Sequence, residues 1–155
     1  KQRINYYVRI QKLKNPRRGI YTKKNYSVEE LACKVYKPSY ISLEYVLQKS
    51  GVLFQYDTRI TSISYLSRTV SIDKTFYVYR KIKNDILYNS TGIIMNDDGI
   101  SIATPERAFL DTLYLNKEYF FDTIKNLDKE RIFSILPIFQ SEQLTKRVQK
   151  VLKND

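Results

Sequence analysis

The chain has 155 residues, 43% hydrophobic and 28% charged, proportions of one globular domain, or one domain and part of another, rather than a disordered segment. It has no histidine and one cysteine, which excludes the usual zinc sets, Ser-His and Cys-His catalysis and an internal disulfide, and suits a reducing compartment such as the cytoplasm. Its net charge of +11 is lopsided: the first 24 residues hold nine cations (Lys1, Arg3, Arg9, Lys12, Lys14, Arg17, Arg18, Lys23 and Lys24) and no acid, leaving +2 for the other 131.

Residues 1–11 fit two templates. As a strand, Ile4, Tyr6, Val8 and Ile10 alternate with polar neighbours. As a helix, Ile4, Tyr7 and Val8 form a stripe opposite Lys1, Gln2, Asn5, Tyr6 and Arg9. Periodicity alone does not choose between them. Lys14-Asn15-Pro16 reads as a turn and Arg17–Thr22 as a short strand. The sequence opens inside this structured segment, so an upstream part of the same unit is expected.

Ser27-x-x-Glu30 is a capping box for a helix bearing Val28, Leu31, Ala32, Val35 and Tyr36, which Pro38 stops. A second helix is predicted over Leu43–Ser50, capped by the Ser42 hydroxyl and ended by Gly51. Cys33 falls opposite the apolar stripe of the first helix, near Lys34 and Lys37, and reads as incidental. Strands are predicted at Arg59–Leu66, Thr69–Ile72 and Phe76–Ile82, the last two a hairpin around Asp73-Lys74. Ile93–Met95 and Ile100–Ala103 flank Asn96-Asp97-Asp98-Gly99, a second hairpin. Thr104 caps a helix opened by Pro105. Asp128 caps Lys129–Leu136, which Pro137 ends. Ser141 caps a final amphipathic helix with Leu144, Val148, Val151 and Leu152 on one face. The run of elements predicts an α+β fold with a mainly antiparallel sheet and flanking helices.

Little here equips an enzyme. None of the sixteen Asp or Glu is followed two positions later by Lys, and four scattered glycines make no phosphate-cradling loop. No catalytic residue, metal or cofactor is expected. A run of about 18 apolar residues is absent, so no membrane partner is expected either.

Three segments together resemble the AbiEi-like antitoxin and transcriptional-regulator family of type IV toxin–antitoxin systems. They are Arg17-Arg18-Gly19-Ile20-Tyr21-Thr22, then Pro38-Ser39-Tyr40-Ile41-Ser42-Leu43-Glu44-Tyr45-Val46-Leu47 with Gly51-Val52-Leu53, and Ala103-Thr104-Pro105-Glu106-Arg107-Ala108-Phe109-Leu110-Asp111-Thr112-Leu113-Tyr114-Leu115. The resemblance runs from about Lys1 to Leu115. It implies that residues 1–24 are the end of the recognition helix and the wing of a winged helix-turn-helix, and that residues 25–155 are an α+β antitoxin-type domain. By it, residues 1–10 are helix. The implied role is repression of the chain's own operon, with a neighbouring nucleotidyltransferase-like toxin as functional rather than necessarily physical partner. Two positions depart from the family: Phe54-Gln55-Tyr56-Asp57 stands where a Pro-Glu pair is common, and Gln11 where a glycine commonly parts helix from wing.

Double-stranded DNA is thus the expected partner of Lys1, Gln2, Asn5, Tyr6, Arg9, Lys12, Lys14, Arg17, Arg18 and Tyr21. The cations would neutralise phosphates, and the Gln2–Asn5–Tyr6–Arg9 face would meet base edges. A second set, Tyr40, Glu44, Arg80, Glu106, Arg107 and Asp111, is a possible partner or antitoxin surface, although helix-start chemistry and an i,i+4 pair between Arg107 and Asp111 also explain part of it. The alternative function is a protein-interaction module that neutralises a nucleotidyltransferase-like toxin by direct contact. A nuclease or nucleotidyltransferase relative comes third.

Overall fold

The computed structural model describes residues 1–154. After helix α1 (Gln2–Arg9) come the paired strands β1 (Lys14–Arg17) and β2 (Ile20–Thr22), then α2 (Val28–Val35), β3 (Ser39–Ile41), α3 (Glu44–Lys49), β4 (Ile60–Ser64), β5 (Arg68–Ile72) and β6 (Thr75–Lys81). The short α4 (Asn84–Leu87), β7 (Ile93–Met95), β8 (Ser101–Ala103), α5 (Pro105–Leu115), α6 (Lys129–Ile135) and α7 (Glu142–Lys153) complete the chain, with a 3-10 turn over Leu136–Phe139. The fold is α+β. Its six-stranded sheet has the order β5-β6-β4-β3-β8-β7. Three of the five neighbouring pairs are antiparallel, and two, β3 with β8 and β4 with β6, are parallel.

Sequence chemistry sets most element ends. The Ser27 hydroxyl accepts from Glu30 N at 3.3 Å, Thr104 from Arg107 N at 3.3 Å, Asp128 from Glu130 N at 2.9 Å, and Ser141 from Leu144 N at 3.1 Å, each satisfying an N–H that the helix itself leaves free. Asp73 and Lys74 take φ of 48° and 65°, the left-handed pair that turns a two-residue hairpin with the twist of its strands.

Four expectations are corrected. Lys14–Pro16 is strand, and the turn falls at Arg18-Gly19, where Gly19 has φ of 86°. Ser39–Ile41, inside the segment read as joining two helices, is a central strand. Ser42 caps nothing: α3 starts after Leu43, and its Tyr45 N donates instead to Thr61 Oγ1 at 3.0 Å. Pro137 lies in the first turn of the 3-10 segment rather than after the last helical residue.

Strand β4 is buried on both faces. On one face lies α2, whose Ala32 carbonyl accepts from the Tyr79 hydroxyl at 2.7 Å. On the other lie α3 and α5, with α6 and α7 packed outside α5. Arg147 of α7 ends α5 from outside, its Nη1 donating to the carbonyls of Leu113 at 2.8 Å and Tyr114 at 3.3 Å, as a cation at a helix carboxyl end should. Cys33 is buried in this core beside Ser101, and desolvation pushes its thiol up, so it does not face the lysines around it.

Candidate nucleic-acid interface

The first 24 residues form α1 and the β1–β2 hairpin. No residue of α1 is buried. Lys1, Gln2, Arg3, Asn5, Tyr6 and Arg9 on the helix, and Lys12, Lys14, Arg17, Arg18, Tyr21, Lys23 and Lys24 beyond it, are all exposed. Among the described residues none of the nine cations lies within ion-pair distance of a carboxylate; the ion pairs present involve Lys34, Lys49, Arg59, Arg107 and Arg131. Nothing in this segment offers them an acid, so their charge stays directed at solvent.

The joint between α1 and the hairpin is a left-handed residue. Gln11 has φ of 58°, a conformation that glycine adopts freely and a side chain resists. Its N–H donates to Val8 O at 3.0 Å, while Lys12 N and Leu13 N return to Tyr7 O at 2.9 and 3.2 Å, closing the helix. Ile20 then packs against the main core and Thr22 is buried. Tyr26 ties the following link to the β5–β6 turn through a 2.7 Å hydrogen bond to Asp73.

A second cationic cluster has no counterpart in the linear sequence. Ser39 pairs with Ser64, Ser64 with Lys81, and Arg68 with Tyr79, which gathers residues 36–39, 64–68 and 79–83 at one end of the sheet. They contribute Lys37, Arg68, Arg80, Lys81 and Lys83 and not one acid. Lys37, Arg68, Lys81 and Lys83 are exposed, Arg80 is half-buried, and Tyr65 stands exposed beside them. Arg68 Nη1 donates to the Tyr36 hydroxyl at 3.2 Å. Each segment is too short to stand out by charge; the signal was the lack of acids in all three, and only the pairing joins them.

The set Tyr40, Glu44, Arg80, Glu106, Arg107 and Asp111 does not assemble as a surface. Tyr40, Glu106, Arg107 and Asp111 are buried. Arg107 Nε donates to Asp111 Oδ1 at 3.2 Å, and its two other nitrogens donate to the Tyr40 hydroxyl at 2.9 Å and to the carbonyls of Ile86, Asn89 and Thr91 at 2.9, 3.1 and 2.6 Å. The hydroxyls of Tyr40 and Ser42 donate to Asp111 Oδ2 at 3.0 and 2.8 Å. Burial pushes the Asp111 carboxyl up, against the pull of Arg107 and the two hydroxyls; burial, helped by Asp111, pushes Tyr40 well up. A guanidinium with every donor spent on its own chain has none for a partner. Glu106 binds Asp128 N at 3.0 Å, joining α5 to α6. Glu44 lies apart, 3.4 Å from the Tyr119 hydroxyl. Arg80 belongs to the cationic sheet end instead.

This network also explains Ser42 and Leu43. The Ser42 hydroxyl is committed to Asp111, and the Ser42 carbonyl accepts from Thr61 Oγ1 at 2.6 Å. Leu43 is then held at φ of 62°, a strained conformation costing about 1–3 kcal/mol that only such fixed neighbours sustain.

Among the described residues no helix is long and apolar enough to cross a membrane. No family model, curated protein or solved structure matches the chain.

Proposed function

We propose that the protein is a DNA-binding transcriptional regulator that represses its own operon and serves, in the cytoplasm, as the antitoxin of a type IV-like toxin–antitoxin pair. In this reading α1 is the end of a recognition helix and the β1–β2 hairpin is the wing. Gln2, Asn5, Tyr6 and Arg9 meet base edges in the major groove, and Lys12, Lys14, Arg17 and Arg18 hold phosphates beside it. The acid-free sheet end with Lys37, Arg68, Lys81 and Lys83 is a second cationic surface suited to phosphate. The α+β body carries the antitoxin role.

One observation carries the reading: nine cations on 24 residues, all open to solvent and none paired with a carboxylate among the described residues. A merely solvated basic surface normally interleaves acids with its lysines. A surface kept free of them is suited to a polyanion, because each phosphate neutralised releases a condensed counterion.

The test is a mobility shift with duplex DNA from upstream of the gene. The wild-type chain should retard it, and Arg9→Ala, Arg17→Ala and Arg18→Ala together should abolish the shift at the same protein concentration. Binding that survives all three changes overturns the placement of the interface. A stable complex with a neighbouring nucleotidyltransferase-like protein, without any DNA shift, would replace it with direct neutralisation.

A further inference from the structure

Phe54, Tyr56 and Phe120 are 70%, 87% and 82% exposed, in a chain that buries Tyr77, Tyr79 and Phe109 almost completely. Their two loops lie side by side. Asp122 N and Thr123 N donate to Val52 O at 3.1 and 3.3 Å, and Phe54 N donates to Asp122 Oδ2 at 2.7 Å. Further along, Asp57 N donates to Gln48 Oε1 at 3.2 Å, and Arg59 grips the Asp57 carboxylate with Nη2 at 2.6 Å. The rings therefore stand on a backbone fixed on both sides.

Three rings at these exposures leave roughly 500 Å² of mostly apolar surface in water. A patch of that size is near the largest that a typical monomer carries and is often functional. Its charge narrows the choice of partner. Residues 52–59 and 117–125 carry Asp57, Arg59, Lys117, Glu118, Asp122 and Lys125, three of each sign. Such a surface has no net attraction for a polyanion and suits another neutral, apolar face. The chain as a whole is +11, so two copies repel each other over most approaches and least where the local charge cancels. The apolar side chains Ile4 and Tyr7 of α1, by contrast, sit among the nine amino-terminal cations.

We propose that two copies of this chain associate through the Phe54–Tyr56–Phe120 rim, each rim packing against the other about a two-fold axis. Matching two such patches buries about 1,000 Å², the lower limit for a specific interface. At that area the dimer belongs to the weak, transient class of interfaces. Salt screens the +11 to +11 repulsion, so the association tightens as salt rises, opposite to a phosphate-binding surface. The inference does not rest on the DNA-binding reading.

Sedimentation equilibrium of the full chain, from about 1 to 500 μM and in both low and high salt, tests it. The expected result is a monomer–dimer equilibrium, tighter in high salt, whose dissociation constant rises at least about tenfold in Phe54→Ser and in Phe120→Ser. Tyr56→Lys, at the most exposed ring, should act alike while leaving the unfolding temperature unchanged, which separates interface loss from misfolding. Ile94→Ser, on an exposed apolar position of β7, should leave the dimer intact. A monomer at every concentration, or a dimer indifferent to all three rim substitutions, overturns the proposal.

Discussion

At the amino end, nine cations stand in water with no carboxylate in ion-pair range among the described residues, whereas in the middle of the fold Arg107 is wholly buried and spends five hydrogen bonds on its own chain. The residue chemistry is the same and the consequences are opposite. A buried guanidinium must be matched donor by donor, since an unmatched charge out of water costs several kcal/mol. That requirement makes Arg107 a clamp on the α4–β7 segment and removes it from any interface. An exposed cation needs no partner to fold, so a cluster of them without acids stays available to an external anion.

The largest effect is expected from Arg107→Ala. It leaves Asp111 buried without a cation and frees the carbonyls of Ile86, Asn89 and Thr91, so denaturant unfolding should show a loss of about 3–5 kcal/mol and heating a drop of roughly 10 °C. Replacing both partners with apolar residues, Arg107→Met with Asp111→Leu, should recover much of that loss. If Arg107→Ala is harmless, the network is not what holds α5 to the sheet.

Next in size is the response to alkali. Burial pushes the hydroxyls of Tyr77 and Tyr119 up to about 12 and raises Tyr40 and Tyr79 as well. Unfolded tyrosines ionise near 10, so these groups stabilise the fold fully below that pH and lose their contribution as pH climbs through the folded values. Circular dichroism should show unfolding setting in between about pH 10 and 12, later in Tyr119→Phe than in wild type.

Smaller still is Lys49→Ala, which breaks an exposed pair with Glu29 at 2.8 Å and should cost about 0.2–1 kcal/mol. Lys49 and the Tyr45 hydroxyl hold the Glu29 carboxyl below its usual range, so this contribution is present above the ordinary glutamate pKa and fades as pH falls below it. The smallest effect on stability belongs to Arg9→Ala, Arg17→Ala and Arg18→Ala together: no measurable change in unfolding, beside a large loss of DNA affinity. A substantial loss of stability there would mean that these side chains serve the fold.

Local rules carried far in the sequence. Ser27, Thr104, Asp128 and Ser141 all cap the helices expected of them, and both hairpins fall around Asp73-Lys74 and Asn96–Gly99. What sequence could not reveal is set by tertiary partners. Ser42 looks like a cap until Asp111, 69 residues away, takes its hydroxyl. The strand Ser39–Ile41 is too short for any periodicity and exists because β4 and β8 flank it. Arg107 and Asp111 were legible as an i,i+4 pair, but not as buried, since burial depends on Tyr40 and the Ile86–Thr91 carbonyls closing over them. The amino-terminal charge was legible throughout, being a matter of composition; the cationic sheet end was not, being a matter of strand order.

The central claim is that the amino-terminal cations hold phosphates, and salt reads it directly. The affinity of the intact chain for upstream duplex DNA, followed by anisotropy across increasing salt, should fall with a slope of log K against log salt of about −4.5 or steeper, as five or more neutralised phosphates require. A slope near zero would contradict the account.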